Sequence, residues 1–135
     1  MSLITWSNDL SVNIGSIDEQ HKRLVSLVNS LHDAMSSGKG KEIMGKILDE
    51  LIEYTKTHFA TEERLMTAHT YPGYLTHKKE HDGLTKEVLS FHEDFKSGKS
   101  VVSVEIMRFL KDWLAKHIKG TDQKYGPFLI SKGVS

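Results

Sequence analysis

The sequence of 135 residues contains no cysteine, and this absence excludes disulfides, cysteine-based zinc sites, iron–sulfur clusters and thiol catalysis. It has only two prolines, and no apolar run approaches the roughly 20 residues that a membrane-spanning helix needs. An excess of charge of one sign is also lacking, because 18 lysines and arginines balance 18 aspartates and glutamates. This composition therefore does not favour nucleic acid or an anionic membrane as a partner.

The N-terminal segment also lacks the features of a secretory leader. Residues Met1–Trp6 do not combine a charged start with an apolar stretch, so we expect a cytoplasmic protein. The length favours a single domain, residues 1–135. Histidine, in contrast, is abundant: the chain has eight, and imidazole is the commonest metal ligand in proteins.

The apolar periodicity predicts an all-α fold. We expect four amphipathic helices at residues 17–37, 41–68, 73–96 and 101–119, between an extended N-terminal arm (1–15) and a tail (120–135). Ser16 and Glu19 have the spacing of a capping box, which predicts a helix start at about Ile17, and Gly120 is expected to end the fourth helix. Short connections favour an up-down-up-down antiparallel bundle.

Six potential metal ligands lie on the inward faces of these predicted helices. Two pairs have members four residues apart, which places them one above the other on a helix face. In an antiparallel bundle, the starts of helices one and three meet the ends of helices two and four, so we expect the six to form one layer. They are His21, His58, Glu62, His77, His81 and His117, and Asp122, just after the fourth helix, is the seventh candidate.

The chemistry of this layer favours a pair of metal ions. Buried polar groups need partners, and one ion cannot use seven ligands, whereas two six-coordinate ions that share bridging carboxylates can. Glu62 and Asp122 are the candidate bridges. Asp122 follows His117 by five residues, out of phase for a straight helix, so we expect Gly120 to unwind the chain there. Nitrogen and oxygen donors suit iron, with zinc, manganese or cobalt as alternatives.

These residues resemble the signature of the hemerythrin family, in particular the bacteriohemerythrins, over nearly the whole chain. The matching motifs are a lone histidine, His-Phe-x-x-Glu, His-x-x-x-His and His-x-x-x-x-Asp, at His21, His58–Glu62, His77–His81 and His117–Asp122. The resemblance implies that three histidines (His77, His81, His117) hold one iron and two (His21, His58) hold the other. Glu62, Asp122 and an oxo or hydroxo group would bridge the irons.

The resemblance implies reversible dioxygen binding at a non-haem di-iron centre, in a carrier, store or delivery protein that is not an enzyme. Azide and nitric oxide are expected as alternative ligands. One alternative function is an oxygen- or redox-sensing module of a signalling protein. Another is a di-iron oxidase, a peroxidase or a nitric-oxide-handling enzyme. The absence of any Glu-x-x-His motif argues against the carboxylate-rich sites that activate oxygen.

The walls of the predicted pocket are apolar. Phe59, Trp113, Leu114 and Ile118 lie one to four residues from a ligand, and we expect them to form a dry pocket without a proton donor. The other histidines, His32, His69 and His92, fall outside the layer. Hydrogen-bonded or solvated side chains are the favoured interpretation for them, with a second metal site at His32 and His92 as the alternative.

Overall fold

The structure is a computed structural model and describes residues 3–99 and 103–134. Within these ranges it contains five α-helices and no strand. The helices are Gly15–Ser36 (α1), Lys41–Ala68 (α2), Tyr74–Ser97 (α3), Val104–Lys116 (α4) and Gln123–Ser131 (α5). Helices α1 to α4 form the bundle, so the predicted all-α, antiparallel four-helix bundle with an N-terminal arm is confirmed.

The start of α1 differs from the prediction. The helix begins at Gly15 with Ile14 at the N-cap position, so Ser16 lies inside the helix and cannot act as its cap. The first turn is instead bound to the N-terminal arm: the Asp18 carboxylate accepts a hydrogen bond from the Val12 N–H at 2.8 Å. The helix start is therefore set by packing of the arm, which the local sequence pattern does not reveal.

The fourth helix begins at Val104, and it has a side-chain cap. The Ser103 hydroxyl accepts a hydrogen bond from the Ile106 N–H at 3.3 Å, which satisfies one of the free donors of the first turn. Val101 and Val102, where we predicted the start of this helix, lie outside the described residues.

The end of the fourth helix also differs from the prediction. The chain does not stop at Gly120 but widens into a π-helical segment, His117–Asp122, and continues as α5. A π-helix closes hydrogen bonds between residues five apart. The five-residue spacing of His117 and Asp122, which is out of phase in an α-helix, is thus brought into phase, and both side chains face the bundle.

Two groups of buried apolar residues hold the fold together. The larger group runs along the bundle and includes Leu24, Val28, Leu51, Leu110 and Leu114. The smaller group joins the arm, α1, α2 and α5 at one end of the bundle and consists of Val12, Ile14, Ile17, Met66, Tyr125 and Leu129. Helix α5 therefore closes the end of the bundle where the histidines lie. No helix in the described ranges has both the length and the apolar character for crossing a bilayer.

Candidate metal centre

The structure brings all seven predicted donors together at one end of the bundle. They come from four elements: α1, α2, α3 and the π-helical segment. Each is at most 3% exposed. They form two overlapping groups, in each of which the ligand atoms lie within 4.8 Å of one another: Glu62, His77, His81, His117 and Asp122; and His21, His58, Glu62 and Asp122. We call the first the three-histidine half and the second the two-histidine half.

Asp122 belongs to both halves, and its two oxygens divide between them. Oδ1 lies 3.0 Å from the Nε2 atoms of both His77 and His117. Oδ2 lies 2.7 Å from Nε2 of His21 and 4.0 Å from Nε2 of His58. The carboxylate therefore stands between the two sets of imidazoles, as a bridging ligand would.

Glu62 is the second carboxylate that both halves share. Its Oε1 lies 2.7 Å from Nε2 of His58 and 3.5 Å from Nε2 of both His81 and His117. Its other oxygen, Oε2, accepts a short hydrogen bond from the Tyr125 hydroxyl. Nε2 of His77 also lies 4.0 Å from Oε2. Glu62 is completely buried, so these neighbours, rather than solvent, stabilise its negative charge.

The electrostatics of the cluster separate the carboxylates from the imidazoles. Burial alone would raise the pKa of the Glu62 and Asp122 carboxyls, but the neighbouring histidines hold both pKa values below their usual range. Burial alone would likewise lower the pKa of His58, yet Glu62 and Asp122 raise it to about 9. The pKa of His117 is raised in the same way. Without a metal, the cluster therefore holds protons where a cation would sit.

Hydrogen bonding leaves part of the cluster unsatisfied. Both Asp122 oxygens and the Nε2 atoms of His21, His58 and His77 lie 2.7 to 3.0 Å from an oppositely charged atom of the cluster. The angles are not those of hydrogen bonds, so these buried atoms have no hydrogen-bond partner. Such orphaned atoms are rare in folded proteins, and lone pairs that converge on one space are satisfied together by a metal ion. Imidazole nitrogen and carboxylate oxygen suit iron, zinc, manganese or cobalt. The residues present therefore fit a pair of such ions.

A family model decides the relationship. The model of the hemerythrin HHE cation binding domain matches residues 12–129, which include all seven donors. The chain belongs to the hemerythrin family. Its three-histidine half and two-histidine half, together with the bundle that carries them, are thus features of a hemerythrin.

Several hemerythrin relatives are similar over 80% or more of their length. A bacteriohemerythrin of Methylococcus capsulatus is 40% identical over 130 residues, which cover 96% of this chain and 98% of the relative. A bacteriohemerythrin of Stenotrophomonas maltophilia is 38% identical, covering 93% and 80%. A hemerythrin-like protein of Naegleria gruberi is 33% identical, covering 92% of each chain. A wild-type hemerythrin crystal structure superposes with a TM-score of 0.91 at 38% identity, covering 95% and 98%.

The four predicted wall residues are buried, and two of them have rings beside donor imidazoles. The ring of Phe59 stacks on that of His81, with centroids 3.8 Å apart and planes 3° from parallel. The Trp113 ring lies nearly parallel to the His117 ring, with centroids 6.4 Å apart and planes 10° from parallel. Leu114 is 1% exposed and Ile118 is fully buried. The two aromatic rings therefore cover His81 and His117 on one side.

Sequence reasoning missed three residues that contact the donors. Tyr125 donates to Glu62, which corrects the prediction of a pocket without a proton donor. Glu63 looks like a solvent-exposed neighbour of Glu62, yet its Oε2 lies 2.9 Å from Nδ1 of His81. The Gln20 side-chain oxygen lies 2.6 Å from Nδ1 of His58. Gln20 and Glu63 are each adjacent in sequence to a donor, and this adjacency is the sequence feature that could have pointed to them.

The remaining histidines lie outside the cluster. Nε2 of His92 lies 2.5 Å from Oδ1 of Asp49, which gives it a carboxylate partner. Nδ1 of His32 lies 4.0 Å from Asp33, and His69 follows the last residue of α2. Among residues 3–99 and 103–134, no cluster of metal-binding side chains includes His32 or His92. The alternative of a second metal site there gains no support.

Proposed function

We propose that this hemerythrin binds dioxygen reversibly at a non-haem di-iron centre, as an oxygen carrier, store or delivery protein. The observation that carries this proposal is the buried cluster of five imidazoles and two shared carboxylates. Its similarity to proteins named bacteriohemerythrin supports the same function.

In the proposed centre, His77, His81 and His117 would hold one iron, and His21 and His58 would hold the other. Glu62 and Asp122, which belong to both halves, would be shared between them. The placement of Asp122 supports this assignment, because its Oδ1 faces two imidazoles of one half and its Oδ2 faces His21 of the other. When bound, such an iron pair with an oxo or hydroxo bridge supplies reversible two-electron chemistry toward dioxygen.

The protein contributes a dry and ordered pocket to this function. Phe59 and Trp113 lie flat beside ligand imidazoles, and the buried Leu114 and Ile118 fill neighbouring space, so water is restricted. The Tyr125 hydroxyl is engaged by Glu62, and burial together with Glu62 raises its pKa well above the ordinary value. The one hydroxyl described beside the donors therefore keeps its proton, which supports binding and release rather than enzymatic turnover.

The test is to load metal-free protein with two equivalents of Fe(II) without oxygen and then admit oxygen. We expect a visible charge-transfer band that disappears when oxygen is removed, and a different band with azide after oxidation. Nitric oxide should compete with oxygen. A protein that consumes peroxide or oxygen continuously under these conditions would instead be an enzyme.

Two histidine variants show which residues hold the irons. His58→Ala should keep the helical circular dichroism spectrum but retain only one iron. His92→Ala removes a histidine outside the cluster, and we expect it to retain two irons and the oxygen band. Retention of two irons by His58→Ala would remove that residue from the proposed ligand set.

A further inference from the structure

The imidazoles of the three-histidine half have carboxylates behind them. Oε2 of Glu63 lies 2.9 Å from Nδ1 of His81, the nitrogen that faces away from the cluster. Oε1 of Glu80 lies 3.9 Å from Nδ1 of His117, which is too long for a hydrogen bond, and that nitrogen is buried without a hydrogen-bond partner. Glu63 is thus hydrogen-bonded to a ligand imidazole, whereas Glu80 only adds negative charge near one. A carboxylate that accepts the second N–H of a ligand imidazole fixes its tautomer and makes the ligand more basic.

The two-histidine half is supported differently. Nδ1 of His58 meets the neutral amide oxygen of Gln20 at 2.6 Å. Nδ1 of His21 is buried and has no hydrogen-bond partner. Each half thus has one imidazole whose Nδ1 lacks a hydrogen bond, His21 here and His117 in the other half. The halves differ because this one has a neutral amide where the other has the Glu63 carboxylate, with Glu80 3.9 Å from His117. Both halves share Glu62 and Asp122. The two-histidine half adds two imidazoles to them, and the other half adds three.

The surface near Glu63 also leads to the three-histidine half. A cleft of about 190 Å³ between α2 and α3 is lined by Phe59, Glu63, Lys78 and His81, among others. The Lys78 ammonium lies 3.4 Å from Glu63, but it is 41% exposed and also pairs with Asp82 at 3.2 Å. Because solvent screens that lysine, it offsets only part of the charge that Glu63 presents to His81.

We propose that the two halves load in order: the first divalent cation binds the three-histidine half, and the two-histidine half fills second and more weakly. This inference rests on the proposed function, because it takes the same seven ligands as a two-metal site. Three observations support it together: the additional imidazole, the Glu63 carboxylate hydrogen-bonded to His81, and the cleft that reaches His81. The two-histidine half is then the one from which metal is lost first.

The test is a titration of the metal-free protein with cobalt(II) chloride, followed by visible absorption and calorimetry. We expect two separate steps of one equivalent each. Glu63→Gln keeps a hydrogen-bond acceptor for His81 but removes the charge, so the first step should weaken by about 10- to 100-fold. Gln20→Glu places a carboxylate behind His58 and should strengthen the second step by about tenfold.

Control variants separate the local effect from net charge and assign the steps. Glu53→Gln removes the same charge from an exposed position of α2 and should change neither step. His58→Ala should keep the first step at its wild-type affinity and lose the second. His81→Ala should weaken the first step.

The loading order is overturned if wild-type protein takes both cobalt ions in one step, or if Glu63→Gln weakens only the second step. Neither result depends on whether the iron-loaded protein shows a reversible oxygen band, so the proposed function would survive both. Two cobalt steps of the expected kind, with no reversible oxygen band, would sink the proposed function and leave the loading order standing. Failure to bind any cobalt would overturn both.

Discussion

At the scale of single residues, the contact between Tyr125 and Glu62 shows how the cluster keeps a buried carboxylate charged. Burial and the neighbouring Asp122 both oppose ionisation of Glu62, and the imidazoles of His58 and His117 favour it. The Tyr125 hydroxyl adds a neutral donor to Oε2, the oxygen that faces away from those two imidazoles. Its ring also stacks on His77, with centroids 5.3 Å apart.

Replacement of this tyrosine tests the contact in the metal-free protein. Tyr125→Phe keeps the buried ring but leaves Oε2 of Glu62 without its donor. Hydrogen bonds to charged groups contribute about 1.5 to 3 kcal/mol, so we expect the free energy of unfolding to fall by about that amount. Urea denaturation followed by circular dichroism measures it.

Tyr71→Phe is the matched control for this variant. Tyr71 contacts the Tyr125 ring edge-on at 6.4 Å but is partly exposed, and we expect a change below about 0.5 kcal/mol. Equal stability of Tyr125→Phe and wild type would show that the hydroxyl contributes nothing to holding Glu62.

The donors and their supporting residues differ in how far sequence could predict them. His58 with Glu62, and His77 with His81, could be found because four-residue spacing fixes a shared helix face. Glu63 and Tyr125 could not, because a polar residue beside a donor has no periodicity of its own. Their partners are set by how α2 packs on α3 and by where the chain goes after Asp122.

At the scale of elements, the π-helical segment His117–Asp122 connects the bundle to the helix that closes it. Sequence spacing predicted an irregularity between these two residues but placed a helix end at Gly120. The chain instead stays helical with a wider turn, and α5 follows without a break. The prediction was wrong because a glycine lowers helix stability but does not indicate whether the helix ends there or continues with a wider turn. The four bundle helices themselves, in contrast, could be predicted from apolar periodicity alone.

The close approach of α5 to the arm gives a prediction for Gly126. A Cβ at this position would lie 2.8 Å from the backbone oxygen of Val12, and a backbone atom cannot move as a side chain can. Gly126→Ala should therefore displace the arm and lower the free energy of unfolding by about 1 to 3 kcal/mol. Thermal and urea denaturation of the metal-free protein measure this change.

Gly83→Ala is the control substitution of the same type. Gly83 lies in α3, is exposed, and has nothing within 4 Å of a Cβ built on it. Alanine is the better helix former, so we expect a gain of about 0.5 to 1 kcal/mol. If Gly126→Ala were equally stabilising, α5 and the arm would not be packed as closely as the structure has them.

At the scale of the whole molecule, the fold separates an apolar body from a polar end. Among the described residues, the buried polar or charged side chains are the seven donors and Thr55, and the seven donors lie in one layer beneath α5. Sequence predicted this separation because helix order in an antiparallel bundle determines which ends meet. The cluster concentrates ionisable groups at one end, so protons and metal ions should act on stability through that end.

The metal-free protein should accordingly lose stability as the pH rises. The His58 pKa is about 9 in the folded chain and about 6.5 when unfolded, so protonation of His58 stabilises the fold below pH 6.5. That contribution is lost as the pH passes from about 6.5 through 9, and His117, whose pKa is also raised, adds to the loss. Glu62 and Asp122, whose pKa values are lowered, act oppositely: their contribution is lost in acid, below about pH 4.5.

Urea denaturation of metal-free protein at pH 6 and pH 9 tests this dependence. A shift of the His58 pKa to about 9 corresponds to roughly 3 kcal/mol, and we expect a loss of about that size between the two values. Protein loaded with cobalt and freed of excess metal should not show this loss, because the ions replace the cluster's protons and bind more tightly as imidazoles deprotonate. His92→Ala, which removes a histidine outside the cluster, should show the same change between pH 6 and pH 9 as wild type in both forms, even if loss of its contact with Asp49 lowers stability at both values. A metal-free protein equally stable at pH 6 and pH 9 would mean that the imidazoles of the cluster are not held protonated, and that its charge is balanced in another way.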